Sequence, residues 1–139
     1  MVAVARIEER RGAMPPTVDM KAEEGQAMLR AVLALFERWR LDVNQSRRLL
    51  GGPALRTFHR WRAGKVASLP PDTIFRLGTL LGIHKALRYM FASPERGYAW
   101  IGKPNEAFGG RSALDKMLQG APTDLAAVRA YLDAERGGW

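Results

Sequence analysis

The chain has 139 residues, with 22 Lys and Arg against 14 Asp and Glu, and it contains no cysteine. The lack of cysteine excludes a disulfide scaffold, a thiolate zinc site and a cysteine nucleophile, and it fits a reducing compartment. No stretch reaches the roughly 18 apolar residues of a membrane span. The apolar run 1–5 stops at Arg6 and is too short for a secretory signal. A cytoplasmic protein is therefore expected.

The formal net charge of +8 is concentrated in one part of the chain. Residues 30–65 hold nine basic residues against two acidic ones, whereas residues 94–139 hold six of each. A localised basic segment is the electrostatic footprint of a polyanionic partner such as nucleic acid. The alternative is a solvated face that only keeps the protein soluble.

The N-terminal residues 1–21 mix charges of both signs with Pro15-Pro16 and show no sustained apolar period. We therefore predict a flexible N-terminal arm, in which Met14 and Met20 are alternative start sites. From residue 22 onwards, apolar residues recur at steps of three and four, which predicts one amphipathic helix to about Arg40. These residues are Met28, Val32, Leu35, Phe36 and Trp39.

The next segment predicts two short helices joined by a tight turn. Asp42 is a suitable N-cap for a helix over residues 43–50, which Gly51-Gly52 ends. Pro53 suits the first position of a second helix that runs to about residue 63 and ends at Gly64. Helix, glycine-containing turn and helix together describe a helix-turn-helix.

The second helix of this hairpin divides into two faces. Leu55, Phe58 and Trp61 are predicted to point inward, and Arg56 and Arg60 outward. Guanidinium groups on such a helix pair with phosphates or bidentately with guanine. The alternative is a packing hairpin with a charged outer face. The candidate DNA-binding residues are Arg47, Arg48, Arg56, Thr57, His59, Arg60, Arg62 and Lys65.

The second half of the chain also predicts helices. Pro70-Pro71 begins a helix that is expected to end near Gly82, and residues 83–91 are expected to form a separate short helix. Residues 94–111 are irregular and predict a packed loop. Two final helices are expected over residues 112–119 and 123–135.

No alternating strand pattern and no internal repeat occurs, so the predicted fold class is all-α. We divide the chain into an arm (1–21), a helix-turn-helix and dimerisation region (22–67) and a small helical C-terminal domain (68–139). In that domain a group of residues is expected to be mostly core. These are Phe108, Leu114, Met117, Leu118, Leu125, Val128, Tyr131 and Leu132.

Residues that would support catalysis or bind a metal or cofactor are missing. The stretch from Gly97 to Pro104 is similar to a phosphate-binding loop, but it has proline where the motif needs Ser or Thr. His59 and His84 are far apart in sequence and lack acidic neighbours at metal-ligand spacing. Asp133 follows Arg129 by four residues, so a salt bridge is expected rather than a catalytic pair. We predict no enzyme, no metal and no cofactor.

From Arg30 to Trp139 the sequence resembles the Xre/MbcA/ParS antitoxin family, the partners of RES-domain toxins. The resemblance is carried by many short motifs that occur in order along the chain. They are Arg60-Trp61-Arg62, Leu80-Leu81-Gly82-Ile83, Lys85-Ala86-Leu87, Phe91, Trp100, Pro104-Asn105, Ala107-Phe108-Gly109-Gly110-Arg111, Leu114, Gly120, Asp124-Leu125 and Val128-Arg129-Ala130-Tyr131-Leu132-Asp133.

The resemblance implies functions for both parts of the chain. Residues 22–67 would be a divergent Xre-like helix-turn-helix that forms a homodimer and binds operator DNA, although residues 43–48 lack the acidic and small residues usual in Xre domains. Residues 68–139 would be the toxin-binding domain. RES toxins resemble ADP-ribosyltransferases and consume NAD or transfer its ADP-ribose. The antitoxin would cover that active site, in part with its own C-terminal end.

Candidate toxin-binding residues lie in the loop 105–111, on the last helix and at the C-terminus. The two glycines of the loop are expected to fix a tight turn. Gly137-Gly138 is expected to end the last helix and leave Trp139 exposed as a plug for the toxin's active site. The candidates are Asn105, Phe108, Gly109, Gly110, Arg111, Arg129, Gly137, Gly138 and Trp139.

Two hypotheses from other classes remain open. The first is a helix-turn-helix transcription regulator without a toxin partner, which would purify alone. The second is a structural adaptor without a DNA role, which would not bind its own promoter. A neighbouring reading frame that encodes a small RES-type protein would decide in favour of the antitoxin.

Overall fold

The structure is a computed structural model, and it describes residues 22–137. Over this range the chain is helical, in agreement with the predicted all-α class. Within this range there is one isolated β-bridge, which joins Pro104 and Ser112. The helices are α1 (22–38), α2 (Val43–Leu49), α3 (Leu55–Arg62), α4 (Pro71–Met90), α5 (Pro94–Trp100), α6 (Ala113–Met117) and α7 (Pro122–Glu135), with a 3-10 turn at Glu106–Phe108.

Several helix boundaries follow from local capping. The Asp42 carboxylate accepts a hydrogen bond from the Gln45 amide (2.7 Å), and the Gln45 side chain accepts one from the Asp42 amide (2.9 Å). This capping box satisfies two amides that have no partner within the helix. At the other end of the hairpin, Gly64 adopts a left-handed conformation with φ of 83°. The predicted N-cap and the predicted stop are both confirmed.

Two predicted interruptions are wrong. Residues 71–90 form one continuous helix, so the break expected near Gly82 does not occur, because an isolated glycine costs a helix only about 1 kcal/mol. Residues 94–100 form α5 rather than part of a loop. Pro94, which lies at the start of the predicted loop, occupies the first position of α5, where its missing N–H is not needed.

The start of α3 also differs from the prediction. Gly51 and Gly52 both have positive φ, and the turn extends through Pro53 to the N-cap Ala54. The helix therefore begins at Leu55 rather than at the proline. Leu55 is 46% exposed and does not point inward as expected, whereas Phe58 and Trp61 are buried as predicted.

One hydrophobic core joins the helices before and after residue 68. Helix α4 contributes Leu77, Leu80, Ile83 and Leu87 to it, all of them buried. The same core contains the predicted apolar residues of α1 and of the last two helices. Of the residues expected in the core of the C-terminal domain, Met117, Leu125, Val128 and Leu132 are buried, and Phe108, Leu114, Leu118 and Tyr131 pack against the core. Within residues 22–137, no helix is long and apolar enough to cross a membrane.

The turn between α6 and α7 is held by two arginines from earlier helices. Arg48 of α2 donates to the carbonyls of Leu118 and Gln119, each at 3.0 Å. Arg76 of α4 donates to the carbonyl of Gly120 at 2.8 Å. Three successive carbonyls are satisfied in this way, which fixes the position of the last two helices relative to α2 and α4.

Arg76 is the more buried of the two, with only 5% of its surface exposed. Its guanidinium also pairs with the carboxylate of Asp72 at 2.8 Å and donates to the carbonyl of Leu49 at 3.4 Å. Leu49 ends α2, where unpaired carbonyls carry the negative end of the helix dipole. The buried cation is thus compensated by an acid and by two carbonyls from different parts of the chain.

Helix α7 begins at a polar cap. The Ala121 amide donates to the Asp124 carboxylate at 2.9 Å, and Lys116 of α6 approaches the same side chain at 3.2 Å. The hydrogen bond from Ala121 is the main cause that lowers the pKa of Asp124 below its usual value, and Lys116 adds to it. The side chain is therefore ionised at neutral pH, as an N-terminal helix position favours.

Candidate functional site

The outer face of α3 is basic and exposed. Arg56, His59, Arg60 and Arg62 lie on it, and Lys65 follows just after the helix. The Arg62 guanidinium lies 5.7 Å from the centre of the buried Phe58 ring, so its stem packs on the protein. The sequence holds no acidic residue between Asp42 and Asp72 to neutralise these charges. We call Arg56, His59, Arg60, Arg62 and Lys65 the α3 basic surface.

The other candidate DNA-binding residues have different positions. Thr57 is half-buried on α3. Arg47 donates from Nε to the carbonyl of Pro53 at 2.9 Å and so braces the turn between α2 and α3. Arg48 reaches the α6–α7 turn. The structure therefore brings the candidates on α3 together on one surface, whereas the two on α2 have partners within the chain.

The loop 105–111 is a compact turn organised by Asn105. The Asn105 side chain accepts a hydrogen bond from the Ala107 amide (2.9 Å). The main-chain carbonyl of Asn105 accepts from the amides of Phe108 (2.9 Å) and Gly110 (3.0 Å). Its own amide donates to the carbonyl of Arg111 at 3.0 Å, which closes the loop.

The two loop glycines are required by their backbone angles. Gly109 and Gly110 have φ of 70° and 84°, and a Cβ at either position would have no atom within 4 Å. A substitution is therefore strained by conformation rather than by lack of space, since the left-handed region is unfavourable for residues with a Cβ. The predicted tight turn is confirmed.

Aromatic contacts fasten this loop to α7. The Phe108 ring meets the Tyr131 ring edge-on at 5.3 Å, and Trp100 at the end of α5 stacks on Tyr131 at 6.1 Å. Aromatic pairs at these distances add to the energy of burial. Asn105 and Phe108 are half-buried, while Gly109, Gly110 and Arg111 are exposed at the tip.

Arg129 lies on α7, with about half of its side chain exposed. The predicted pair with Asp133 is confirmed, at 3.8 Å between Nε and the carboxylate. Nη1 also donates to the carbonyl of Gly78 at 3.5 Å. The guanidinium lies directly over Gly82, where a Cβ would approach Cζ to 2.5 Å. Only glycine at position 82 leaves room for this arrangement.

The C-terminal candidates are only partly described. Gly137 follows α7 with φ of 84°, as expected for the residue that ends a helix. Gly138 and Trp139 lie outside the described residues, and so does the predicted arm 1–21.

The two histidines, His59 and His84, lie in different surroundings. Among residues 22–137, no group of three His, Cys, Asp or Glu side chains is placed to hold a metal ion. His84 stacks on Tyr98, with ring centres 6.1 Å apart and nearly parallel planes. Burial, and to a lesser extent the Arg88 charge, lower the pKa of His84 below its usual value. His84 is therefore neutral at pH 7, in keeping with a packing role.

Comparison with known proteins identifies the class of this helical protein. The family described as "Antitoxin Xre/MbcA/ParS C-terminal toxin-binding domain" matches residues 86–138, which include the loop 105–111 and α7. The C-terminal part of the chain, residues 86–138, therefore belongs to this family of toxin-binding domains. It is also 47% identical over 112 residues to the uncharacterized protein y4oB of Sinorhizobium fredii, a match that covers 81% of this chain and 86% of the relative. No solved structure is significantly similar to it.

The family supports an antitoxin role in a toxin–antitoxin pair, with a toxin as the partner of the C-terminal domain. This agrees with the resemblance found from the sequence motifs.

Proposed function

We propose that the chain neutralises a RES-domain toxin by covering the active site in which that toxin binds NAD. The observation that carries this proposal is the match of residues 86–138 to a toxin-binding domain. The protein would act by binding and not by catalysis. Its contribution is a rigid surface, since the loop 105–111 is closed by its own hydrogen bonds and fastened to α7 by aromatic contacts.

The residues of this chain that contact the toxin would come from the tip of the loop 105–111 and from α7. Arg111 and the two glycines are exposed at the tip, and Arg129 is held in place by Asp133. A pre-organised side chain loses little rotamer freedom on binding, which favours affinity. Gly137, Gly138 and Trp139 would add to this contact by entering the NAD pocket, where an indole is a suitable apolar anchor.

The α3 basic surface supports a second part of the proposal, binding to operator DNA. Four cationic side chains without a nearby acid in sequence would attract phosphates, and α3 would enter the major groove as the second helix of the hairpin. Homodimer formation would place two such helices on one operator, through which the protein would repress its own operon. A regulator without a toxin remains the competing function, and it predicts that the protein purifies alone.

The loop can be tested by a double substitution, Gly109→Val with Gly110→Val. Valine in the left-handed region costs about 1–3 kcal/mol per residue, so the turn is expected to change conformation locally. Toxin binding is expected to fall about tenfold or more. The measurement is growth rescue in cells that co-express the toxin, combined with binding of the purified proteins.

The matched control for this experiment is Gly102→Val. Gly102 has no positive φ, and a Cβ there would meet only the Ala99 carbonyl at an ordinary 3.8 Å. This variant is expected to rescue growth like the unchanged chain. If the double variant folds, as judged by its helical circular dichroism, and still rescues growth fully, the loop does not belong to the toxin interface.

A further inference from the structure

Helix α4 presents an unusual row of residues on the side away from the core. Phe75, Gly78, Gly82, Lys85 and Tyr89 follow each other at steps of three and four, so they lie on one side of the helix. Phe75 is 50% exposed and Tyr89 is 59% exposed. Between these two aromatic residues the two central residues of the row are glycines, which carry no side chain.

A second row, on α7, lies against the first. Arg129 contacts Gly78 and Gly82, as described above, and the Arg136 guanidinium lies 4.8 Å from the centre of the Tyr89 ring. Asp133 stands between the two arginines, 3.8 Å from Arg129 and 3.9 Å from Arg136. We call the combined surface the α4–α7 face. It consists of Phe75, Gly78, Gly82, Lys85, Tyr89, Arg129, Asp133 and Arg136.

The composition of this face is that of a protein interface. Its two ends are exposed aromatic rings, and arginine and aromatic residues are the types enriched at the centres of interfaces. Among the described residues that make up this face, Lys85, Arg129 and Arg136 are cations and Asp133 is the acid. The Arg136 side chain is only 8% exposed and supports Tyr89, whereas Lys85 and Arg129 carry exposed charge. A partner that fits this face presents carboxylates opposite Lys85 and Arg129 and apolar contacts for the two rings.

We infer that the α4–α7 face is a docking surface for an acidic patch of the toxin. This inference rests on the proposed function and extends it, because Phe75, Gly78, Gly82 and Lys85 precede the matched residues 86–138. Continuity identifies the occupant, since the other half of the face lies within the matched toxin-binding domain.

The charges on the face disfavour the two other possible occupants. A second copy of the chain, related by two-fold symmetry, would bring cations of one copy against those of the other, and like charges across an interface are costly. DNA would place phosphates near the Asp133 carboxylate, whereas the α3 basic surface offers cations without an acid. An acidic protein surface satisfies both the cations and the exposed rings.

Gly82 gives this inference a precise test. A methyl group at position 82 must displace the Arg129 guanidinium, which is the far end of a flexible and half-exposed side chain. The displacement therefore costs little stability, and alanine in place of glycine favours a helix by about 1 kcal/mol. Gly82→Ala thus separates the placement of Arg129 from the stability of the fold.

The experiment measures the affinity of the full chain for the toxin encoded next to it, with the toxin inactivated at its catalytic site. Phe75→Ser and Arg129→Glu are each expected to weaken binding about 30-fold, the loss typical of an interface anchor. Gly82→Ala is expected to weaken it about fivefold while the melting temperature is unchanged or raised. Arg30→Glu makes the same charge change at an exposed position of α1 and is expected to have no effect.

The outcomes separate the inference from the proposed function. If the unchanged chain does not bind the toxin, the proposed function is wrong and the inference fails with it. If the unchanged chain binds and the folded Phe75, Gly82 and Arg129 variants bind equally well, the α4–α7 face is refuted together with the toxin contact proposed for Arg129, while neutralisation of the toxin through the loop 105–111 stands. The inference is also overturned if these variants lose operator binding or dimerisation while toxin binding is retained.

Discussion

Replacing Arg76 with methionine is expected to lower the free energy of unfolding by about 2–4 kcal/mol. Methionine fills a similar volume but donates no hydrogen bond, so the carbonyls of Leu49 and Gly120 lose their partner. A buried acceptor without a partner costs about 1–3 kcal/mol. The Asp72 carboxylate is half exposed and regains water, so we assign it little of the loss.

Thermal and urea unfolding measure this effect. For a chain of this size, the loss corresponds to a fall of roughly 10 °C in melting temperature. Arg88→Met is the matched control, since it removes an exposed arginine from the same helix and is expected to change stability by less than about 0.5 kcal/mol. Equal stabilities for the two variants would show that Arg76 does not hold the α6–α7 turn in place.

The double variant Arg56→Ala with Arg60→Ala is expected to lose operator binding while it still neutralises the toxin. Both side chains belong to the α3 basic surface, and neither takes part in the core. If the proposed dimer forms and neutralises roughly 4–6 phosphates, the logarithm of the association constant falls with the logarithm of salt concentration at a slope of about −4 to −5. Removing four guanidinium groups per dimer is expected to lower affinity about 100-fold and to make the slope shallower by about four.

Gel-shift titrations at two salt concentrations, on the promoter of the chain's own operon, provide the measurement. The control is Arg30→Ala with Arg38→Ala, which removes the same charge from exposed positions on α1. If both double variants lose affinity equally, net charge governs binding and α3 is not the reading helix. If neither loses affinity, the operator is not bound through α3.

Local signals in the sequence were sufficient to predict much of this fold. A capping residue and a glycine stop act within a few positions, and so the ends of the hairpin at Asp42 and Gly64 could be predicted. Proline was the ambiguous signal. A proline is found both after the end of a helix and at the first position of one, and nothing in the local pattern around Pro94 distinguishes a helical α5 from a loop. Gly82 was also ambiguous, because a glycine can end a helix or lie within one.

The contacts between distant parts of the chain could not be predicted. Arg76 bonds a carbonyl 44 positions away, and Arg48 bonds carbonyls 70 and 71 positions away. The same limit applies to the candidate sites. The tight turn at Gly109 and the basic outer face of α3 are local patterns and were predicted. The contact of Arg129 with Gly82 joins two helices, and the spacing of three and four residues on α4 alone does not show that α7 packs beside that row.

On the proposed function, this chain inhibits a RES-domain toxin by occupying its active site. The measurement that tests this is the rate of NAD loss catalysed by the proposed RES-domain toxin as the purified full chain is added. We expect the rate to fall to the background at a fixed molar ratio of chain to toxin, and we expect higher NAD concentrations to weaken the inhibition. NAD loss that continues unchanged in a large molar excess of the folded chain would contradict the claim.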